Sequence, residues 1–512
     1  MVTKKFLWII IACLCINHAM AQETYENTKL IDNDLNGTAR YVGMGGAMEA
    51  LGADLSTISS NPAGVGLFRR SSVSTSFGFV SQQDAEKFGG GDKTNFSFDQ
   101  IGFVYSMKSN TDSWINFAFN YHKSRNFNML VSAADQLTNA SQNKLTYQKY
   151  RNQIFGNSDD ATYSQVDYLY MRNLLYNASD SLYYNYPAQD YKFNRSTEGY
   201  IGEYDFNISG SLNNRLFLGL TLGLHDVNYK HYSVYSESFA QNIDNLAGIS
   251  LTDYRKIEGV GVDVKFGAIY CPIENSPFRI GAYIQTPTIY DLTTRNTTTL
   301  SSFSVGAPYV EESYDFKVYT PWKFGLSLGH TIGECFAMGA TYEYADYTCT
   351  KTRINTGGHY DDWYGEYYDE SENDRIMNKH TDKTLKGVST LKLGVEFKPI
   401  PEFAVRLGYN YVSSLYKKNG YKDETLWSPG TYYSSQTDYT NWKDTNRLTA
   451  GLGYQGKHFN IDLAYQYSAT NGDFHPFLNY YDDKDISESN KADAVKVTNK
   501  RHQLLLTLGY RF

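Results

Sequence analysis

The chain has 512 residues, of which 46 are tyrosine and 28 are phenylalanine, whereas only 11 are proline. This composition favours strands over helices, because aromatic residues are enriched in strands. The formal net charge is −8, which argues against nucleic acid as a partner, since a surface that binds nucleic acid has to be basic. A chain of this length usually forms several domains, although a barrel of this size is a single unit.

The first 21 residues have the features of a secretory signal peptide. Lys4 and Lys5 precede an apolar run, and Ala19–Ala21 provides a cleavage site with small residues at its two outer positions. We therefore predict that the mature protein begins at Gln22. Lipoprotein processing at one of the two cysteines of the leader is the alternative, but the residues before them match a lipobox poorly.

The rest of the chain has no stretch of about 18 apolar residues, so no membrane helix is expected. Instead, apolar and polar residues alternate in many segments, which is typical of strands with two different faces. Fourteen such segments are centred on 71–80, 95–107, 113–123, 198–211, 215–230, 257–270, 277–290, 312–329, 334–349, 384–398, 402–414, 440–455, 457–470 and 496–512. An even number of strands closes an antiparallel barrel with both chain ends on one side.

The connections between these strands alternate between short and long. The long connections include residues 124–196, 231–256, 293–311, 351–383, 415–439 and 471–495. Short turns on one side and long loops on the other are typical of outer-membrane barrels. The sequence therefore predicts an all-β fold, a transmembrane antiparallel β-barrel of about 14 strands in residues 67–512.

One face of each strand is expected to line the lumen, and this face has two kinds of residue. It has charges of both signs, at Glu203, Asp205, Asp263, Lys265, Arg279, Lys323, Glu343, Lys392, Glu396, Arg406 and Arg447. It also has many glycines, at Gly102, Gly219, Gly223, Gly267, Gly281, Gly325, Gly329, Gly339, Gly394, Gly408, Gly453 and Gly509. Such glycines either relieve crowding within the sheet or make room for another piece of backbone.

Residues 22–66 do not alternate, and we predict that they form a hatch in the lumen at the periplasmic end of the barrel. Their second half, Gly43–Gly66, is small, apolar and rich in glycine. Four apolar residues in it have helical spacing and predict one face of a short helix, namely Met48, Leu51, Leu55 and Ile58. The dipeptide Asn61-Pro62 predicts a turn, because proline restricts the preceding residue to extended conformations.

Several stretches carry a family resemblance. They are Gly43–Gly66 with its tripeptide Asn61-Pro62-Ala63, Phe278–Leu292, Thr320–Gly325, Leu393–Pro399 followed by Arg406–Tyr409, and the C-terminal Gly509–Phe512. In these stretches the chain resembles the FadL-type outer-membrane transporters of long-chain fatty acids and other hydrophobic compounds. The loops do not share this resemblance.

The resemblance implies a fourteen-stranded barrel that is gated by its N-terminal hatch. It implies that a hydrophobic ligand is captured among external loops, enters an apolar pocket in the lumen, and leaves through an opening in the barrel wall at a kinked third strand when the hatch shifts. The hatch or gate residues are then Gly43, Gly45, Gly46, Asn61, Pro62 and Ala63. The outer membrane is the location that follows, and the terminal aromatic Phe512 is expected to be recognised by the barrel assembly machinery.

Inward apolar residues are the candidates for contact with a lipid-like ligand. Counting positions along the strands gives Phe96, Phe98, Val104, Trp114, Phe217, Tyr283 and Leu505. The alternative for the same residues is that they pack against the hatch.

Two other functions stay open at this point. The long tyrosine-rich loops favour a surface binding protein such as a haemin receptor, although the histidines show no pairing and are expected at the surface, as at His122, His231, His359, His380 and His475. An unplugged porin is the other alternative.

The acidic tract Asp482–Asp485 is either a solvated loop or a contact to lipopolysaccharide or Ca²⁺. No grouping of residues predicts an enzyme, a metal site or a cofactor.

Overall fold

The computed structural model describes residues 22–155, 163–243, 246–274, 276–302, 305–361, 363, 366–482 and 485–512. The predicted signal peptide lies outside these residues. The strands are β1 (Ser72–Gln82), β2 (Thr94–Asn110), β3 (Ser113–Asn126), β4 (Met129–Ala140), β5 (Tyr176–Asn177), β6 (Leu182–Tyr183), β7 (Ala188–Leu212), β8 (Leu216–Ile243), β9 (Leu246–Tyr270), β10 (Arg279–Gln285), β11 (Ile289–Ser301), β12 (Tyr309–Tyr319), β13 (Lys323–Ile332), β14 (Phe336–Asp346), β15 (Lys351–Asp361), β16 (Glu366–Asn373), β17 (Gly387–Ile400), β18 (Phe403–Val412), β19 (Tyr439–Gln455), β20 (Phe459–His475) and β21 (Val495–Arg511).

The helices are short. The α-helices are Thr24–Ile31, Ala39–Gly43, Gln142–Arg151, Gln165–Tyr170, Arg375–Thr384 and Pro429–Tyr432; a π-helical turn covers Met171–Leu175; and 3₁₀ turns cover Leu55–Ser59, Pro62–Leu67, Tyr347–Cys349 and Ile486–Glu488. Among the described residues, no helix is both long and apolar enough to cross a membrane.

Nineteen of the strands form one antiparallel sheet, and this sheet is closed because β1 pairs with both β2 and β21. Five of its members are two-part strands, namely β3 with β4, β10 with β11, β12 with β13, β14 with β15 and β16 with β17. Counting each two-part strand once gives the 14 strands of the barrel, so the predicted fold class and strand number are confirmed.

Prolines explain two neighbouring interruptions in the barrel. Pro287 separates β10 from β11, and Pro321 separates β12 from β13, since proline cannot donate to the ladder. The two breaks lie side by side, and each provides hydrogen-bond acceptors for the other. The Thr288 N–H donates to Thr320 Oγ1 at 2.8 Å, and the Thr320 N–H donates to the Thr288 carbonyl at 3.1 Å.

The outside of the barrel is apolar. On β8, the side chains of Leu218, Leu220, Leu222 and Leu224 are all exposed, whereas the residues between them face the lumen. Similar exposed apolar residues occur on the other barrel strands. A continuous exposed apolar surface of this extent is stable in lipid and not in water, so the barrel is transmembrane.

The strands on one side of the barrel are longer than the membrane requires. Strands β7 and β9 have 25 residues each and β8 has 28, whereas about 9 to 11 residues cross the hydrocarbon layer. The expectation of loops at 124–196 and 231–256 was therefore wrong for large parts of both segments. Outside the membrane neither face of a strand meets lipid, so the apolar alternation that indicates a membrane strand disappears there.

The external ends of the strands are covered by a packed cap. The helices Gln142–Arg151 and Gln165–Tyr170 lie on a buried apolar core that includes Leu145, Leu169 and Phe193. The cap also contains a buried acid, Glu424, whose carboxylate lies 3.8 Å from Lys149 Nζ. Burial raises the pKa of Glu424 to about 7.

The lipid-facing assignment of β8 gives a first prediction. Replacing Leu222 by arginine places a charge among the hydrocarbon chains, which costs about 2–4 kcal/mol near the bilayer midplane. The matched control is Tyr254→Arg, an exposed outward position on the external part of β9, where the cost is expected to be about 0–1 kcal/mol. Reversible unfolding in phospholipid vesicles measures both, and equal costs would contradict the assignment.

Candidate functional site

The N-terminal segment, residues 22–67, lies inside the barrel and runs along much of its length. At the external end, Gln22 accepts a hydrogen bond from the hydroxyl of Tyr314 at 2.6 Å. At the periplasmic end, the backbone around Gly66 approaches Gly210, close to the β7–β8 turn. We predicted the whole segment at the periplasmic end, and this is wrong for the helix Thr24–Ile31, which lies in the external half.

Inward glycines of the barrel meet the backbone of this segment. A Cβ atom on Gly339 would lie 1.9 Å from the carbonyl oxygen of Ala47, and one on Gly394 would lie 2.2 Å from that of Met44. A Cβ atom on Gly408 would lie 2.2 Å from the amide nitrogen of Gly45. No side chain fits at these distances, so the glycines are required by the close approach of two backbones.

Six inward glycines that meet the segment form two runs of paired positions on the wall, which together we call the glycine belt. Its members are Gly219, Gly267, Gly329, Gly339, Gly394 and Gly408. The last four are direct partners across β13, β14, β17 and β18, and the first two are partners across β8 and β9. The belt therefore follows the wall over six strands and faces residues between Met44 and Ala63.

Other inward glycines have the simpler role of relieving crowding. A Cβ atom on Gly325 would overlap the ring of Tyr283, and one on Gly453 would lie 2.6 Å from the guanidinium of Arg406. These glycines make room for side chains of neighbouring strands. Sequence alone could not separate the two groups, because both occupy inward positions.

The predicted gate residues lie at two tight turns of the segment. Gly45 and Gly46 have positive φ angles of +64° and +81°, which residues with a Cβ atom rarely adopt. At the second turn, the Asn61 side chain accepts from the Ala63 N–H at 3.2 Å and donates to the Glu49 carbonyl at 3.1 Å. Pro62 then begins a 3₁₀ turn, so the predicted turn at Asn61-Pro62 is confirmed.

The predicted helix through Met48 and Ile58 does not form. Gly52 and Ala53 have positive φ angles of +60° and +53°, and this left-handed pair turns the chain. Met48 then packs with Tyr41, whereas Ile58 belongs to a different apolar cluster. Helical spacing was misleading here. The small residues of the segment do not favour a helix strongly, so its contacts with the glycine belt determine where the chain turns.

Buried ion pairs hold the segment to the wall. The carboxylate of Glu49, which is fully buried, accepts from Lys392 Nζ at 2.7 Å, from Thr341 Oγ1 at 2.8 Å and from the hydroxyl of Tyr41 at 3.1 Å. Arg40 Nε lies 3.2 Å from Glu396. Removing one partner would leave an unpaired buried charge, which is costly.

Charges of the wall are also paired with one another. Lys265 Nζ is bonded to Glu203 and lies 2.9 Å from Asp205 and 3.0 Å from Asp263. All four side chains are buried. The mixed charges predicted for the lumen face are therefore largely neutralised within the wall, which differs from the water-filled lumen of an open porin.

The residues predicted for a ligand pocket do not line a common cavity. Phe96 and Phe98 face outward with exposed side chains, so their assignment to the lumen was wrong. The reason is a β-bulge: Ser76 pairs with Gln100 and Phe77 with Phe98, which leaves Asp99 as an extra residue and reverses the alternation.

The other five predicted pocket residues are inward but already have partners. Val104, Phe217 and Leu505 pack against apolar side chains of the N-terminal segment. The ring of Trp114 lies 5.4 Å from the guanidinium of Arg69, and the Tyr283 hydroxyl donates to Glu343 at 2.7 Å. Packing against the segment, which was the alternative, therefore describes Val104, Phe217 and Leu505, whereas Trp114 and Tyr283 contact side chains outside the segment.

A cavity of about 200 Å³ lies between the N-terminal segment and the barrel wall, beside the helix Thr24–Ile31. Aromatic and aliphatic side chains form a large part of its wall, including Phe127, Tyr229, Val388, Val412, Tyr439 and Trp442. Sequence reasoning missed these residues because they lie at the external ends of strands or in predicted loops. A different cavity of about 380 Å³, with no lining residue in common, lies near the periplasmic turns.

Beside the first cavity, β2 and β3 run next to each other without ladder hydrogen bonds, and we call this part of the barrel wall the seam. The ladder between β2 and β3 ends at the pair Gln100–His122, although both strands continue beyond it. Strand β3 is then interrupted, and β4 begins at Met129. The Gln82 side chain bridges part of this region by donating to and accepting from the backbone of Leu130, at 2.7 and 2.8 Å.

The N-terminal segment also bridges the seam, beside a direct contact in which Lys123 Nζ of β3 donates to Ser97 Oγ of β2 at 2.7 Å. Asn36 Nδ2 donates to Asp99 of β2 at 2.9 Å and to the carbonyl of Lys123 of β3 at 3.0 Å. The Asp34 N–H donates to the Ser124 carbonyl at 2.8 Å. Residues 32–36 therefore take the place of missing ladder contacts.

Comparison with known structures supports the fold. The structure of a FadL homologue from Pseudomonas aeruginosa superposes with a TM-score of 0.53 at 11% identity, over 94% of this chain and 99% of the other. The chain has the FadL-type barrel fold. The toluene transporters TodX of Pseudomonas putida (TM-score 0.49, 13% identity, 94% and 99% covered) and TbuX of Ralstonia pickettii (0.47, 14%, 93% and 99%) are also similar. The sequence matches no protein-family model and no curated protein.

Three of the histidines expected at the surface are buried, namely His122, His231 and His380. His231 Nε2 lies 3.0 Å from both Ser233 Oγ and Gln436 Nε2. The acidic tract also differs from expectation, since Asp482 is buried and paired with Arg151, whereas residues 483–484 lie outside the described part of the chain.

The glycine belt gives a second prediction. In Gly339→Ala the new methyl group collides with the Ala47 carbonyl, and we expect the segment to lose about 1–3 kcal/mol of docking free energy. Limited proteolysis within residues 37–60 should accelerate accordingly, and conductance in planar bilayers should rise. The matched control is Gly456→Ala, where the nearest atom would be 3.3 Å away. Unchanged proteolysis of both variants would contradict the role of the belt.

Proposed function

We propose that this protein carries hydrophobic small molecules, with long-chain fatty acids as the expected kind, across the outer membrane through a barrel that residues 22–66 gate as a hatch. The observation that carries the proposal is the partly aromatic cavity, which the segment separates from the periplasmic end. The fold shared with a FadL homologue and the resemblance of the motifs support it.

The proposed route has three steps. The ligand enters through the external cap, binds in the cavity of about 200 Å³, and leaves when residues 32–36 move away from the seam between β2 and β3. A lateral exit of this kind suits an apolar molecule, because it passes from the cavity into lipid without crossing water. Cleavage of the signal peptide near Ala21, recognition of Phe512 by the assembly machinery and contact of the cap with lipopolysaccharide remain parts of this proposal.

A cavity-filling pair of variants tests ligand binding. Val412 faces the cavity, whereas Val405 on the same strand faces lipid. We expect Val412→Trp to weaken the binding of the apolar fluorophore 1-N-phenylnaphthylamine to the full-length protein by about tenfold or more, because the indole occupies the site. Val405→Trp is the control and should bind normally. Binding that is the same in both variants would show that the cavity is not the site.

A reversible tether tests the gate. The side-chain oxygens of Thr24, in the segment, and Thr381, in the helix Arg375–Thr384, lie 2.9 Å apart, so cysteines at these two positions bring their sulfur atoms within reach of a disulfide. We expect the Thr24→Cys/Thr381→Cys protein, with its three described cysteines replaced by serine, to slow uptake when oxidised and to recover it when reduced. Either single variant serves as the control, and unimpaired uptake by the oxidised protein would rule out movement of the external end of the hatch.

A further inference from the structure

Two histidines flank a glutamate on the inner face of the wall, next to the seam. His122 of β3, Glu203 of β7 and His225 of β8 are direct cross-strand partners, and Asp205 lies two residues beyond Glu203 on the same face. Asp263 of β9 joins the group from the next strand, since its Oδ2 lies 2.9 Å from His225 Nε2. All five side chains are buried.

His122 makes no hydrogen bond in the part of the chain that the structure describes, although the residue is only 7% exposed. Its Nδ1 lies 3.6 Å from Asp205 Oδ2, and its Nε2 lies 3.6 Å from Glu203 Oε2. Both distances are too long for hydrogen bonds. Asp205 Oδ2 is also buried without a hydrogen-bond partner among the described residues. Because an unpaired buried polar group is costly, these atoms favour a bound group between them.

The spacing of these atoms suits a metal ion. Zinc binds histidine nitrogen and carboxylate oxygen at about 2.0–2.2 Å, so two ligands of a tetrahedral ion lie about 3.4 Å apart, close to the two distances of 3.6 Å. One ligand atom from each of His122, Glu203 and Asp205 can be chosen so that all three lie within 4.8 Å of one another. A small movement of these side chains therefore brings them onto a single ion.

The charge of the group favours a divalent cation. Glu203, Asp205 and Asp263 carry three negative charges, and Lys265 is the only lysine or arginine within 4 Å of them among the described residues. With neutral histidines this leaves two negative charges uncompensated. Lys265 contacts Oε1 of Glu203 and Oδ1 of each aspartate, whereas Oε2 and Oδ2 are the atoms that face the histidines. The lysine therefore does not occupy the position between His122 and the carboxylates.

A cavity of about 110 Å³ opens onto the group. His122 and Glu203 line it, and Asn36, Val388 and Val412 line both this cavity and the first one, so an ion can reach the histidine from the lumen. The wall of this cavity does not supply the missing positive charge. It has four acids and three lysines or arginines, namely Asp32, Asp34, Glu203, Glu343, Lys323, Lys392 and Arg447.

We propose that His122, Glu203 and Asp205 bind a divalent transition-metal ion, and zinc is the ion that fits this ligand set. One imidazole and two carboxylates supply three ligands and leave one position of a tetrahedral ion for water. The ion links β3 to β7 at the pair Gln100–His122, where the ladder between β2 and β3 ends, so it stabilises the wall beside the seam. This inference goes beyond the proposed function and does not depend on which molecule is transported.

Titration of Zn²⁺ alone into the chelator-treated, full-length protein tests the proposal by calorimetry. We expect the wild type to bind one equivalent. Loss of a residue that merely orients a metal ligand costs about 10- to 100-fold in affinity, so removing a ligand in His122→Gln or Asp205→Asn should weaken binding by at least about tenfold. The matched control is His231→Gln on β8, because His231 is also buried but already contacts Ser233 and Gln436.

Thermal unfolding provides a second readout. Zn²⁺ should raise the unfolding temperature of the wild type and of His231→Gln, and it should not raise that of His122→Gln, because only an ion bound to the folded state stabilises it. A heat-modifiability gel confirms that each barrel is folded. Absence of Zn²⁺ binding by the wild type, wild-type affinity in either ligand variant, or an equal loss in His231→Gln would overturn the inference and leave the proposed function intact.

Discussion

Contact between two backbones is the constraint on which the structure depends. A barrel strand directs every second residue into the lumen, and any Cβ atom there keeps another chain at a distance. At the glycine belt these atoms are missing, so the turns at Met44–Ala47 and Asn61–Ala63 reach the wall itself. The segment therefore fits at one level and in one orientation, and the small residues on both sides are needed together.

Charge neutralisation fixes the segment at the same level. Glu49 is buried against Lys392, and Arg40 pairs with Glu396, so the segment supplies counter-charges that the wall lacks. Breaking a buried pair leaves an uncompensated charge, which opposes removal of this part of the segment. Residues 32–36 differ in their place, because they contact the wall at a seam in the sheet, through hydrogen bonds and through ion pairs of Asp32 and Asp34.

This difference divides the lumen into two functional levels. At the glycine belt the segment is a packed partition between the external cavity and the periplasmic cavity. At the seam it forms part of the wall itself, beside the external cavity. The second level therefore brings the cavity and the seam together in one short stretch of chain.

The sequence by itself determined the number of strands, their antiparallel closure and the side with long loops. These features follow from the two-residue period of a strand between lipid and lumen, which every strand displays locally. The same period predicted that the lumen has charges and glycines, and the Asn61-Pro62 turn follows from proline geometry. Residues outside the membrane could not be assigned in this way, because their two faces do not differ in polarity.

Only the tertiary structure decided where the site lies. One bulge at Asp99 reversed the faces of Phe96 and Phe98, and no local pattern shows such an insertion before the partner strand is known. The cavity wall combines Phe127, Val412 and Trp442, which are far apart in sequence and meet only when the barrel closes. The grouping of His122 with Glu203 and Asp205 depends in the same way on long-range pairing, because β3 and β7 become neighbours only in the folded sheet.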